Sequence, residues 1–201
     1  MQYSHILSSV LIAYDVSNVG KKRKIVLENG KEITIRYIKF SDLNAIWENY
    51  NEVVDEGRYL PAFEHVTSNY EKKTWYQDLI GLGNLCIVAQ DKSLDSDEDI
   101  VGQCTIEDVQ WEASDHVGVL GIIVRKSHRN MDIGYHLIEF SLEEAQENGK
   151  EKIILTVFET NKHAISLYQK LGFDTVGVRK KHFFMNGQYI DEILMEKWIG
   201  D

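Results

Sequence analysis

Residues 117–124 read Val-Gly-Val-Leu-Gly-Ile-Ile-Val, a short apolar run suited to a buried strand. Arg125-Lys-Ser-His-Arg-Asn-Met-Asp-Ile-Gly134 follows directly. Beyond it Ile133, Leu137, Phe140 and Ile138, Leu142, Ala145 recur at helical spacing. Asn148-Gly149 closes that helix with residue types that tolerate a left-handed position. Residues 153–158 form a second apolar run, and Ala164, Ile165, Leu167, Tyr168 and Leu171 mark a short helix ended by Gly172. A strand that turns tightly into a helix aims unpaired backbone N–H groups, and the positive end of the helix dipole, at one spot. That spot suits a phosphate or pyrophosphate. Arg125, Lys126 and Arg129 add positive charge beside it.

Two segments of this stretch carry a family resemblance. Arg129-x-x-Asp132-x-Gly134 resembles the Gln/Arg-x-x-Gly-x-Gly/Ala loop of the GNAT superfamily of N-acetyltransferases. Asn161-Lys-His-Ala-Ile-Ser-Leu-Tyr168-Gln-Lys-Leu-Gly-Phe173 is similar to that superfamily's Asn-x-x-Ala-x-x-Leu-Tyr-x-x-x-Gly-Phe signature. Both occur in the family's order and spacing. One departure stands out: Asp132 replaces the first loop glycine. Aspartate tolerates unusual backbone angles better than most residues, so the loop shape is expected to survive. A carboxylate beside a pyrophosphate nevertheless weakens binding unless it points away or pairs with Lys126 or Arg129.

The resemblance implies transfer of an acetyl group from acetyl-CoA to a primary amine, a small amine or polyamine or a protein N-terminus, directly within a ternary complex. It implies that backbone groups of Ile122 and Val124 pair with the pantetheine arm. Main-chain groups of Arg129, Asn130, Met131, Asp132, Ile133, Gly134 and Tyr135 would hold the pyrophosphate. Asn161 would contact CoA, with a helix N-cap as its other reading. Tyr168 would give a proton to the leaving sulfur. Tyr59, Phe63 and Glu64, in the segment between the first two helices, would line the acceptor site. The strand glutamate that some members use as base is absent from residues 118–121. Glu107, on the neighbouring strand, is its first substitute, with His116, Glu64 and Glu159 behind it and a water chain as the alternative. A non-catalytic acyl-CoA sensor and a degenerate domain kept for assembly are the competing functions.

Composition narrows the field. The chain has 201 residues, 43% hydrophobic and 27% charged, enough for a packed core. A formal net charge of −10 argues against nucleic-acid binding, which depends on neutralising phosphates, and favours cationic partners such as amines. Cys86 and Cys104 lack metal-ligand spacing and read as free thiols of a reducing compartment, with no metal. The apolar run 10–13 is too short to cross a membrane and no signal peptide is evident, so a cytoplasmic protein without membrane contact is expected.

Along the chain, residues 1–30 are expected to form an N-terminal arm and extra strand, a candidate for homodimer contacts, and residues 31–201 the acetyltransferase domain. Asn29-Gly30 and Asn186-Gly187 each sit between strand-like runs, 23–27 with 32–38 and 175–182 with 189–198, and signal hairpins. Helices are expected over 43–54 and 66–79 and a strand pair over 85–89 and 100–109, joined by a solvated acidic loop 91–99. The basic run 21–24 reads as a solvated strand start. The fold class is α/β in the α+β sense: a mixed, mostly antiparallel sheet flanked by helices.

Overall fold

A computed structural model describes residues 20–96 and 98–201. Residues 1–19 of the expected N-terminal arm lie outside them, while its extra strand falls within them at Lys22–Val26. Among the described residues eight strands form one sheet: β1 Lys22–Val26, β2 Glu32–Tyr37, β3 Leu85–Gln90, β4 Ile100–Asp108, β5 Val117–Val124, β6 Lys152–Phe158, β7 Asp174–Met185 and β8 Gln188–Trp198. Their order is β1-β2-β3-β4-β5-β6-β8-β7. Only the β5–β6 neighbours are parallel. The mixed, mostly antiparallel sheet is therefore as its sequence implies.

Helices cover both faces. Alternation of side chains along each strand sends one set to each side. Leu85, Ile87, Cys104, Ile106, Leu120, Ile153 and Leu155 pack with helix α3 Ile133–Glu147 and helix α4 Lys162–Lys170. Cys86, Val88 and Ile100 pack with helix α1 Leu43–Asp55 and helix α2 Asn69–Gly81 through Ala45, Ile46 and Leu79. Below, these are the α3/α4 face and the α1/α2 face.

The two Asn-Gly hairpins differ. At Asn186-Gly187 both residues have positive φ, 52° and 76°, as a two-residue turn requires. At Asn29-Gly30 only Gly30 does, at 81°. The Asn29 side chain instead accepts from the Lys31 amide, and a wider turn closes on Leu27.

Charged contacts reveal what local pattern could not. The basic run is not merely solvated: Arg23 pairs with Glu139 and Glu143 at 2.7 and 2.6 Å, and Lys21 with Glu144 and Glu147, so β1 neutralises an acidic stripe on α3. The acidic loop after β3 is not fully solvated either. Its first residue, Asp91, is buried, and its carboxylate accepts from Lys31 Nζ at 3.0 Å and from the Ser93 hydroxyl at 2.6 Å. His128 Nε2 lies 3.2 Å from the same carboxylate, which ties the loop after β5 to the β3–β4 connection.

Candidate active site

Strands β5 and β6 begin side by side and then part. They pair through Val117–Lys152, Gly118–Ile153 and Val119–Ile154, and no pairing continues beyond. The Arg125 amide donates to Val101 on β4. Because backbone groups alternate in direction along a strand, those of Ile122 and Val124 point away from β4 and into the gap. The gap thus offers an unpaired strand edge inside the sheet.

Helix α3 starts at the mouth of that gap. Asp132, its N-cap residue, sits in the left-handed region at φ 56°, ψ 6°, and makes no side-chain cap. Asn130 is also left-handed, at φ 59°. The first intrahelical bond of α3 is His136 N–H to Asp132 C=O, which leaves the amides of Ile133, Gly134 and Tyr135 without a partner inside the helix. Gly134 is needed for close approach: a Cβ there would stand 3.3 Å from Leu167 and 3.7 Å from Val124. Free amides, a helix N-terminus and a bare backbone make a cradle that fits a diphosphate.

Tyr168 closes the gap from the α3/α4 face. It is buried, stands edge-on to Phe173 at 5.9 Å, and its hydroxyl has no hydrogen-bond partner among the described residues. Burial, and then the neighbouring Cys104 thiol, pushes its phenol well above the ordinary tyrosine range. Cys104 is the cross-strand partner of Ile122, so the phenol lies at the level of the open edge. A group so protonated at neutral pH is a donor, not a base.

Residues 46–173 match the acetyltransferase (GNAT) family. The chain belongs to this family.

The L-amino acid N-acetyltransferase AaaT of Escherichia coli (strain K12) is 34% identical over 102 residues, covering 50% of this chain and 63% of the relative. The chain thus spans less than two thirds of that relative's length. Two solved structures share the fold. One is a GNAT superfamily phosphinothricin acetyltransferase from Sinorhizobium meliloti in complex with acetyl-CoA, with a TM-score of 0.77, 22% identity, and 84% and 89% of the two chains covered. The other is the ribosomal-protein-alanine N-acetyltransferase from Brucella melitensis, with a TM-score of 0.75, 23% identity, and 82% and 99% covered.

In this GNAT domain the loop arginines do not face the cradle as their charge suggested. Arg129 donates from Nε to the Val124 carbonyl at 2.8 Å, so one acceptor of the open edge is already taken. Its Nη1 and Nη2 bond Glu56 at 2.8 and 2.5 Å, and its guanidinium lies 4.8 Å from the Tyr59 ring centre. Arg125 is buried, donates to the Glu98 carbonyl at 2.8 Å and lies 3.2 Å from Glu52. Asn161 caps α4, its side-chain oxygen accepting from the Ala164 amide at 3.2 Å, which leaves its NH2 group for other contacts.

The remaining candidates are spread over the α1/α2 side. Glu107 is exposed on β4 opposite Val119, the last residue of β5 paired with β6. It shares the α1/α2 face with Gly121, whose missing Cβ would meet Thr105 of β4 at 3.1 Å. Tyr59 joins the loop arginine, whereas Phe63 is 73% exposed and Glu64 is exposed, so the structure does not pack these two against the sheet. Glu159 follows β6 and donates its amide to the Asp191 carbonyl. His116 precedes β5, at the strand end opposite the cradle, where its carbonyl accepts from Glu151 and Lys152. That placement removes it as a base.

Two groups were missed. Glu56 and Glu52 stand one helical turn apart, matching Arg125 and Arg129 four residues apart, a spacing visible in the chain. Glu192 is buried on β8 beside Phe158 of β6, 2.6 Å from Arg179 and 3.5 Å from His182. Glu192, set between Ile190 and Leu194 in the strand-like run 189–198, was its signal. Among the described residues no cluster of histidine, cysteine or carboxylate groups is placed for a metal, and no helix is long and apolar enough to cross a membrane.

Proposed function

We propose that this GNAT protein transfers the acetyl group of acetyl-CoA to a primary amine, directly and within a ternary complex. The observation that carries the reading is the parted β5–β6 pair, with free helix amides at its mouth and a protonated tyrosine at its side. Acetyl-CoA supplies an activated thioester. The amides of residues 133–135 and the loop before them hold its diphosphate, and the backbone of Ile122 with the Val124 N–H orders its arm as an added strand. Asn161 offers its free NH2 group. Tyr168 Oη holds the proton that the departing sulfur needs.

The amine arrives from the α1/α2 face, where Tyr59, Phe63 and Glu64 frame its approach. Glu107 and Tyr168 then serve the gap from opposite faces, with Glu107 taking the amine proton through water. The α-amine of a peptide or protein N-terminus, with a reference pKa of about 8 against about 10 for an alkylamine, gives up that proton more readily and needs a weaker base. The α-amine of a protein N-terminus therefore suits an exposed carboxylate better than a polyamine does. The ribosomal-protein-alanine name of one relative supports the same class. Two buried free thiols support a reducing, cytoplasmic setting.

The test is calorimetric titration with acetyl-CoA, followed by thiol release with free amino acids, polyamines and short peptides as acceptors. Amine-dependent release supports the reading, with peptide N-termini fastest. Binding without release from any amine would make the protein an acyl-CoA sensor. The Asp132→Gly variant adds a second expected outcome. Relief of the left-handed aspartate is offset by the freer unfolded chain, so stability should stay within about 0.5 kcal/mol. Loss of a carboxylate beside the cradle should tighten acetyl-CoA about three- to tenfold, about 0.6–1.4 kcal/mol.

A further inference from the structure

The end of α1 carries an unusual charge load. Glu52, Asp55 and the C-cap residue Glu56 stand together at the negative end of the helix, and no basic residue lies in its last turn. Carboxylates are repelled there by the helix dipole. Their neutralisation comes from elsewhere. His65 Nε2 lies 2.7 Å from Asp55, Arg125 reaches Glu52, and Arg129 grips Glu56 with both Nη atoms. The Glu56–Arg129 pair is half-sheltered, with side-chain exposures of 14% and 23%. Its forked geometry is the strong form of such a contact, in which position is specified as well as charge.

Arg129 has a second hand on the site. Its Nε donates to the Val124 carbonyl, the last backbone acceptor of the open β5 edge. Its flat face carries Tyr59, whose other neighbour is Arg58 at 5.2 Å. The residue after Glu56 is held from a third direction: Asn186, in the β7–β8 turn, donates to the Gly57 carbonyl at 2.8 Å. One short segment, residues 56–59, thus holds the cradle-loop residue Arg129, which itself caps the end of the cofactor edge, and meets the tip of the last hairpin.

We infer that Glu56 is a positioning residue. Through Arg129 it locks the acceptor-side segment 56–64 to the end of the cofactor edge, so that filling the β5–β6 gap with acetyl-CoA orders the surface on which the amine is received. The inference rests on the proposed function for its meaning, but not for its measurement. Cofactor contacts at the cradle are backbone ones, so removing the Glu56 charge leaves them in place. What is lost is the link from the cradle to Tyr59. The anion of the cofactor does not recruit Arg129, because that side chain is already committed on three sides.

The test is backbone hydrogen exchange over residues 57–64, with and without saturating acetyl-CoA, in the unmodified protein, Glu56→Gln, Glu56→Asp and the control Glu52→Gln. Acetyl-CoA should slow exchange in this segment at least about fivefold in the unmodified protein and in Glu52→Gln. In Glu56→Gln the slowing should vanish while the acetyl-CoA Kd stays within about threefold, and Glu56→Asp should recover part of it. With any amine that the acceptor screen yields, Glu56→Gln should raise the acceptor KM at least about tenfold and change kcat much less. Equal slowing in Glu56→Gln, parallel loss of slowing and of acetyl-CoA affinity, or no slowing in the unmodified protein would each overturn the inference. A protein that binds acetyl-CoA and shows the slowing but acetylates no amine would sink the proposed function and leave this link standing.

Discussion

Replacing Tyr168 by phenylalanine is expected to lower the rate of amine-dependent thiol release at least about tenfold, a barrier increase of about 1.4 kcal/mol, without weakening acetyl-CoA binding. The same variant should be about as stable as the unmodified protein. Tyr168 is buried and its hydroxyl finds no partner among the described residues, but the oxygen itself is not sealed from solvent, so losing it changes the fold little. Removing that hydroxyl without changing the shape of the ring should leave stability within about 0.5 kcal/mol. A residue kept solely for packing would show the opposite pair of results, an unaltered rate with some loss of stability. Because burial holds the phenol well above its usual range, Tyr168 should add no inflection to the pH–rate profile near neutrality. Turnover at several pH values and a thermal melt of the two proteins decide the matter.

Asp91→Asn should cost about 3 kcal/mol at neutral pH, because it removes the charge that Lys31, Ser93 and His128 share while leaving the site buried. Burial alone would raise the Asp91 pKa. The hydrogen bonds from the Ser93 hydroxyl and amide, then from Lys31 and His128, outweigh it and hold the carboxyl well below its reference of 3.8. A group whose folded pKa is depressed adds stability above its unfolded pKa and loses it as pH falls from there through the folded value. The unmodified protein should therefore shed this contribution progressively below about pH 4, whereas the asparagine variant should show a flatter acid limb. Urea titrations from pH 7 down to pH 2 would measure both. A second readout is functional. His128 lies in the loop that leads to the cradle, so Asp91→Asn should also weaken acetyl-CoA. Equal stability of the two proteins at pH 7 would show that the buried cluster is neutral in net effect.

Local pattern carried much of this fold into view. The helical spacing of Ile133, Leu137 and Phe140, the Asn148-Gly149 stop and the Asn186-Gly187 turn all depend on neighbours within a few residues, and each is where the spacing put it. The Asn29-Gly30 turn was read correctly as a hairpin but not in its type, because its geometry depends on the Asn29 side chain turning back to Lys31. What stayed hidden is long-range charge pairing. Arg129 and Glu56 are 73 residues apart, Asp91 and His128 are 37 apart, and Arg23 and Glu139 are 116 apart. Arg129 read alone is a phosphate ligand by its charge. In the fold its guanidinium is consumed by Glu56 and the Val124 carbonyl, and only its place in the loop still serves the cradle. Phe63 and Glu64 were grouped with Tyr59 by proximity in the chain; in the fold Tyr59 lies against Arg129, whereas Phe63 and Glu64 stand exposed.

The far end of the sheet has its own consequence. Strand β7 is an outer strand with Val176 and Val178 exposed, the kind of edge on which another polypeptide adds itself. Between Arg179 and Phe183 three residues of β7, Lys180, Lys181 and His182, stand against the single Asp191 of β8. Lys181 takes a positive φ of 52°, and Asp191 fixes the protrusion by accepting from the Lys181 amide at 2.7 Å and from Lys180 Nζ at 2.6 Å. A stray strand could match its ladder to Val176 and Val178, then would meet a kinked backbone bearing cationic side chains and lose step. Fibril-like growth from this border stops after about one short rung, so a GNAT fold that must open a gap in the middle of its sheet keeps its outer margin closed to strangers.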